Sequence, residues 1–338
     1  MSPNYIPKVS VIVPVYNTEL YVERAIISLM EQTLDDVQFI IIDDGSKDNS
    51  LNIIKQVITR YPARQGQVTL ISRENRGVAA TRAQGMELAI GDYVIHLDSD
   101  DWAEVNWLEA MYAKAIDYNA DVVVCNYQEV YKYGNRHVEQ YVSTTGIQCT
   151  ENLLCGKISN MNWDKLIRLS IIRENDIKYI NGVDMGEDLF VSFKSFFYSG
   201  YVAHVDKPLY FYNKVNPGSL TSQYSVNSVY SLVNVVCELE KFLISENCLD
   251  EIKYSFDFFK INVRYLILVK SLGNKEVRSL AFNLYQDTNY LIYSGSAPKF
   301  LRLAYMLHKK NLSSGIYLID LICRARYLYF KLKFTLFL

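Results

Sequence analysis

The chain has 338 residues, half of them apolar and 21% charged, which excludes a disordered or low-complexity polymer and leaves room for a large core in two lobes. A formal net charge of -2 gives no basic field with which to hold nucleic acid. The six cysteines show no Cys-x-x-Cys and no zinc-like spacing with the four histidines, so a reduced cytoplasmic protein is expected.

Val9 to Val15 is an almost unbroken apolar run, the pattern of a strand covered on both faces of a parallel sheet. It stops at Tyr16-Asn17, and Thr18 is placed to cap a helix reaching about Gln32, with Leu20, Ala25, Ile26 and Leu29 facing inward. A second strand, Val37 to Ile42, ends in Asp43-Asp44-Gly45-Ser46. A helix over Ser50 to Arg60 and a strand over Val68 to Ser72 follow. Glu74-Asn75-Arg76-Gly77 then leads into a helix from Val78 to about Ala89. Tyr93 to Leu97, rich in β-branched, aromatic and aliphatic residues, reads as the central strand, and it ends in three carboxylates, Asp98, Asp100 and Asp101. Strands and helices alternating at this spacing predict βαβ units on a doubly wound, mostly parallel sheet, an α/β fold. Ligands of such sheets bind beyond the carboxyl ends of the strands, which makes the acidic tip the place for a hard cation and a phosphate ligand.

Beyond the tip, Asn106 to Asp117 is expected to be helical and Asp121 to Asn126 a buried strand. Tyr127 to Tyr133, broken by Gly134-Asn135, reads as a more polar extended excursion, and Cys149 to Ser159 is weakly patterned. Trp163 to Arg168 is expected to open a helix, and Gly186-Glu187-Asp188 to start one that runs to about Ser199. Tyr201 to Val205 and Leu209 to Tyr212 suit two strands, and Ser225 to about Tyr293 is helical throughout, which puts a domain boundary near residue 220. From Lys299 onward eight Lys and Arg face the single acid Asp320, so this segment is near +7 and the remainder near -9. Ile316 to Leu338 intersperses aromatic and apolar residues with Arg324, Arg326, Lys331 and Lys333. Its cations fall on opposite helical faces, yet snorkelling cations among tyrosines suit an anionic membrane surface. No run has transmembrane length, and Met1 to Lys8 lacks the apolar region of a signal peptide.

Several residues at these strand ends carry chemistry. Tyr16 offers a flat face to a nucleobase, and Asp44 can accept from an imide N–H, although tyrosines also pack and Asp-Gly-Ser also simply turns. Asn75 and Gly77 let the backbone approach a nucleotide, while Arg82 reaches a phosphate or braces an Asp. Asp188 stands at a helix start, where the dipole favours a carboxylate. If it faces the acidic tip instead, it can take the proton of an attacking hydroxyl. Trp163 would wall a sugar ring.

Taken together, Val9-Ser-Val-Ile-Val-Pro-Val-Tyr-Asn17, Ser28-Leu-Met-Glu-Gln-Thr33, Ile42-Asp-Asp-Gly-Ser-Lys-Asp-Asn-Ser50, Asn75-Arg-Gly77 with Arg82, and Leu97-Asp-Ser-Asp-Asp101 resemble the inverting glycosyltransferases of family 2, which have the GT-A fold. Looser matches run through Trp163-Asp-Lys-Leu166, Gly186-Glu-Asp188 and Pro208-Leu-Tyr-Phe-Tyr212. The resemblance implies a GT-A domain over residues 1–220 and a helical region over 221–338. It implies that Pro14, Tyr16 and Asp44 hold the base near Asn75, Gly77 and Arg82, with Asp98 and Ser99 at the ribose. Asp100 with Asp98 would bind Mn2+ or Mg2+ bridging the diphosphate. Glu187, Asp101 and Trp163 would meet the donor or acceptor sugar, and Asp188 would be the base. Such enzymes often carry an Arg after the tyrosine-rich strand and a Ser a few residues on; here Asn213-Lys214 precedes Ser219, so Lys214 would steady the diphosphate as a point charge.

The activity implied is transfer of a hexose-type sugar from a nucleotide sugar, UDP before GDP or dTDP, to a saccharide or lipid-linked oligosaccharide in surface polysaccharide synthesis. The enzyme would sit peripherally on the cytoplasmic face of the membrane. A sugar-phosphate nucleotidyltransferase would show a Gly-rich loop where Pro14-Val-Tyr-Asn17 stands, and a dehydrogenase would show Gly-x-Gly-x-x-Gly, which is absent. A catalytically idle nucleotide-sugar-binding scaffold is disfavoured by the presence of both carboxylate clusters.

Overall fold

The computed structural model describes residues 6–180, 183, 185–218, 226–271, 274–310, 321, 322 and 325. Two compact units divide the chain, Met1–Leu153 with Lys157–Pro217 and Leu154–Gly156 with Gly218–Leu338. Among the described residues of the first unit, nine strands form one sheet. They are β1 (Val9–Val15), β2 (Val37–Asp43), β3 (Val68–Ser72), β4 (Tyr93–His96), β5 (Trp102–Ala103), β6 (Val122–Tyr131), β7 (Gly134–Val138), β8 (Lys165–Arg168) and β9 (Val202–Asn213). Their order is β3-β2-β1-β4-β8-β6-β9-β5, with β7 paired to β6. The helices of this unit are α1 (Val22–Met30), α2 (Ser50–Arg60), α3 (Val78–Leu88), α4 (Trp107–Asp117), α5 (Gly146–Leu154), α6 (Leu169–Glu174) and α7 (Glu187–Phe197).

The doubly wound expectation holds through β4. Strands β1, β2 and β4 are buried along their whole length, as parallel strands covered on both faces must be, and their apolar runs follow from that. Helix α1 turns Val22, Ala25, Ile26 and Leu29 onto this core at three- and four-residue spacing. Helix α3 comes close because Gly85 has no side chain: a Cβ there would lie 2.4 Å from Ile12 Cγ2 on β1. The chain winds outward from β1 to β3 and then returns to place β4 on the other side of β1, so the switch point of the topology lies between β1 and β4. Tyr16, Asp44 and the acidic tip all follow carboxyl ends of these parallel strands.

The second half departs from the sequence expectation. Lys165–Arg168 is a strand, antiparallel to both β4 and β6, and the helix begins only at Leu169. Its apolar spacing mimics a helical face, but its pairing partners lie far away in the chain. The two strands expected over 201–212 are one, β9, running parallel to β6 past a bulge at Cys125 to Tyr127. The polar excursion after Tyr127 is the hairpin of β6 with β7, and α5 occupies the weakly patterned stretch. Thr18 does not cap α1 with its side chain; its hydroxyl donates to Ser99 Oγ at 3.1 Å.

The second unit contains α8 (Val226–Ser245), α9 (Lys253–Lys270), α10 (Lys275–Asn283), α11 (Asn289–Tyr293) and α12 (Lys299–Lys309). Arg264, fully buried on α9, donates to Ala281 O at 2.9 Å and to Asn289 Oδ1 at 2.8 Å, tying α10 and α11 to α9. Helix α12 leaves Leu303 and Met306 exposed, with Lys299, Lys309 and Lys310 also exposed at its ends. Most of the expected membrane-contacting stretch, Ile316 to Leu338, and Ser219 lie outside the described residues. Among the described residues no helix is long and apolar enough to cross a membrane.

Candidate active site

The acidic tip is a tight turn, closed by Asp101 N–H donating to Asp98 O at 3.0 Å, and it is held by the end of β9. Tyr210 accepts from the Asp98 N–H at 3.1 Å and donates its hydroxyl to Asp101 Oδ2 at 2.8 Å. Asn213 donates its N–H to Asp101 Oδ1 at 2.7 Å and its amide to the Asp100 carbonyl at 3.1 Å; Asn216 donates to Asp100 Oδ2 at 2.7 Å. Burial, then the neighbouring Asp100 and Asp98 charges, push the Asp101 carboxyl well above its ordinary range. Burial and Asp98 likewise raise Asp100.

These contacts correct one expectation. Asp101 has no exposed surface, and both of its oxygens are occupied by β9, so it staples the turn rather than meeting a sugar. Trp163 is corrected for the same reason. It is 1% exposed, stacked on Tyr210 at 4.2 Å and edge-on to Tyr127 at 4.8 Å, and so belongs to the core beneath the turn instead of walling a cleft.

Asp98 faces the other way, toward α3. Arg82, one turn into that helix and almost wholly buried, places Nη2 2.8 Å from Asp98 Oδ1. Its Nη1 lies 2.5 Å from Glu187 Oε1 and 2.8 Å from Asp188 Oδ1 at the start of α7. Gly186, with φ of +90°, gives the chain the left-handed turn that points both carboxylates inward. One guanidinium therefore joins two acidic clusters about 90 positions apart. Burial works against its charge, but Asp188, Asp98 and Glu187 outweigh burial and hold its pKa well above the ordinary value. For Asp188 the balance is opposite: burial dominates the pull of Arg82, with Glu187 and Asp98 adding to it, and its carboxyl titrates well above the usual range.

At the other end of the strand tips, Tyr16 is 47% exposed, while Pro14 is buried within β1 in register with Ile42. Asp44 is buried too, accepting from the N–H groups of Arg76 and Gly77 at 2.9 Å each and paired with Arg73. The loop after β2 and the loop after β3 touch so closely that a Cβ on Gly45 would lie 2.9 Å from Asn75 N. Asn75 is exposed, and Ser99 is buried under its bond to Thr18. Lys214 is exposed just past β9, with its ammonium 4.3 Å from the Tyr212 ring centre.

A divalent cation fits the donors present. Asp98 Oδ2 has no hydrogen bond among the described residues, and burial with the Asp98 charge raises the proton affinity of Asp100, which a cation relieves. Among the described residues no group of three or more His, Cys, Asp or Glu could hold a metal, so an ion on Asp98 and Asp100 would need ligands from outside these side chains.

The sequence reading did not assign roles to Tyr210, Asn213, Asn216, Arg73, Asn162 or Tyr179, all of which bond to the acidic residues or their neighbours. A polar cluster at the carboxyl end of β9, Tyr-Phe-Tyr-Asn-Lys, was the available signal for the first two.

The model for Glycosyl transferase family 2 matches residues 10–170. The putative glycosyltransferase EpsH of Bacillus subtilis is 32% identical over 260 residues, covering 75% of this chain and 74% of that protein. Among solved structures, S. aureus TarS 1–349 in complex with UDP-GlcNAc aligns with a TM-score of 0.69 at 18% identity, over 94% of this chain and 92% of that one. The Pyrobaculum calidifontis mannosyltransferase PcManGT in complex with GDP-Man and Mn2+ aligns at 0.53 and 17%, over 97% and 89%. At such identities the likeness is one of fold, and that fold is GT-A. Given a relative this similar over three quarters of both chains, and the family match across the strand tips, the chain belongs to glycosyl transferase family 2 and is a glycosyltransferase.

Proposed function

We propose that the chain is a metal-dependent inverting hexosyltransferase that moves a sugar from a UDP-sugar to a hydroxyl of a saccharide acceptor. The observation that carries this reading is the Arg82 bridge, which brings the phosphate side of a donor site, Asp98, to the same guanidinium as a buried carboxylate suited to be a base, Asp188. Tyr16 stacks on the base, and the loop organised by Asp44 lies against its edge. Asp98 and Asp100 would hold Mn2+ or Mg2+, which would supply positive charge to the departing diphosphate. Lys214 adds a second cation on the same side. Glu187 touches the donor sugar.

Asp188 accepts the proton of the acceptor hydroxyl while that oxygen bonds to the anomeric carbon. The electron pair of the broken C–O bond leaves with UDP, and attack from the opposite face inverts the configuration. The bound nucleotide sugars of TarS and PcManGT support a nucleotide-sugar donor. An acceptor carried on a lipid is supported by the excess of Lys and Arg from Lys299 onward.

The test is a panel of UDP-, GDP- and dTDP-sugars assayed for nucleotide release and transfer with Mn2+ or Mg2+. We expect one UDP-sugar to be turned over, EDTA to stop it, and the product to have the inverted anomer by NMR. Asp188→Asn should cut transfer to a trace residual rate, with UDP affinity nearly unchanged. Transfer by Asp188→Asn at the wild-type rate, or a product with retained configuration, rejects the mechanism.

A further inference from the structure

Asp188 is gripped from a second side, by Asn162, on the short loop that leads into β8. The Asn162 side chain is 1% exposed, and its orientation is fixed at both ends. Ser192 donates its hydroxyl to Asn162 Oδ1 at 2.9 Å, so Nδ2 must face the other way. There it donates to Asp188 Oδ1 at 2.8 Å and to Tyr179 Oη at 2.8 Å. Tyr179, having accepted from the amide, is left to donate to His96 Nε2, 3.0 Å away on β4.

The loop itself is pinned. Lys165 Nζ, without exposed surface, donates to the carbonyls of Ser159 and Met161 at 2.7 Å each and to Asp164 Oδ1 at 2.6 Å. Asp164 Oδ2 accepts from Ser159 Oγ at 2.7 Å and from Gln140. Burying an ion pair is costly unless every polar atom is satisfied, and here the satisfaction is achieved by clamping backbone on the N-terminal side of Asn162.

The distribution of contacts on Asp188 is uneven. Both Arg82 Nη1 and Asn162 Nδ2 bind Oδ1, while Oδ2 has no hydrogen bond among the described residues. We propose that Asn162 is a positioning residue for Asp188, fixing Oδ1 so that Oδ2 alone is presented to the acceptor hydroxyl. The proposal rests on Asp188 being the base. Arg82 by itself leaves the carboxylate free to pivot about one contact; the amide, approaching from the loop, supplies the second and stops the rotation. The same amide links the base through Tyr179 to β4, the strand that ends in the acidic tip, so both reacting sides are referenced to one strand.

The test compares Asn162→Ala, Asn162→Asp, Asp188→Asn and the double variant Asn162→Ala with Asp188→Asn, using the UDP-sugar that the wild-type chain turns over with Mn2+. We expect Asn162→Ala to lower kcat about 10- to 100-fold with the donor KM within twofold, as for other residues that orient a working ligand. Asn162→Asp keeps the shape but sets an acceptor against Oδ1, and should lose at least as much. In the Asp188→Asn background the Asn162→Ala change should remove no more of the residual rate, since it acts through the carboxylate.

Unchanged kcat in Asn162→Ala, or an equal fall in both backgrounds, overturns the proposal while leaving the base in place. Wild-type turnover by Asp188→Asn overturns the base itself, which is a different result. A crystal structure of Asn162→Ala gives a reading that needs no substrate: the Asp188 carboxylate should rotate from its position on Arg82, and an unmoved carboxylate counts against the proposal.

Discussion

At the scale of single residues, the site is defined by one cation shared among three carboxylates. Arg82 cannot fully offset Asp98, Glu187 and Asp188, and burial makes the remainder felt as a raised Asp188 pKa. As the proposed base, Asp188 works only when ionised, so the acid limb of the kcat profile is expected well above the ordinary Asp value of 3.8, with activity falling as pH drops through it. The same shift means that the folded chain holds this proton more tightly than the unfolded one. The stability it contributes is full below the unfolded pKa and is lost as pH rises through the folded one. Trp163 gives a second prediction. Trp163→Ala should cost about 3–5 kcal/mol in denaturant unfolding, and Trp163→Phe should lower stability without moving the donor KM. A raised KM at unchanged stability would restore it to the sugar site. Both Asp101 and Trp163 were misassigned from sequence for one reason: the type of a side chain was visible there, but which side of the turn β9 would cover was not.

At the scale of elements, the parallel half was legible and the antiparallel half was not. Strands β1 to β4 and helices α1 to α3 follow from local signals, since fully buried parallel strands write themselves as apolar runs and their ends as Asp, Asn and Gly. Strand β8 has no such signal. Trp163, Leu166 and Ile167 recur at helical spacing, and only pairing with β4 and β6 makes the segment extended. Packing of α3 on β1 is tight enough to test. Gly85→Ala would push a methyl to within 2.4 Å of Ile12 Cγ2, an overpacking that costs about 1–3 kcal/mol, visible as a lower Tm. Because α3 carries Arg82, transfer should fall further than the loss of folded protein explains; an unchanged Tm would mean that the helix gives way easily.

At the scale of the whole molecule, charge is unevenly distributed, near +7 from Lys299 onward against -9 before it. In α12 the exposed Leu303 and Met306 lie between lysines, a pattern suited to the boundary of an anionic bilayer. The full chain should therefore float with vesicles containing phosphatidylglycerol at low salt, detach at high salt, and fail to float when the residues from Lys299 onward are removed; equal flotation by the truncated chain would discard the idea. One further consequence concerns biosynthesis. The acidic turn is spoken early in translation, yet the partners that shape it, Tyr210, Asn213 and Asn216, come 109 to 116 positions later. At about 5–20 residues per second the ribosome needs roughly 5–20 s to deliver them. A nascent chain thus carries its acidic turn for many seconds before the hydrogen bonds from the end of β9 that shape it can form.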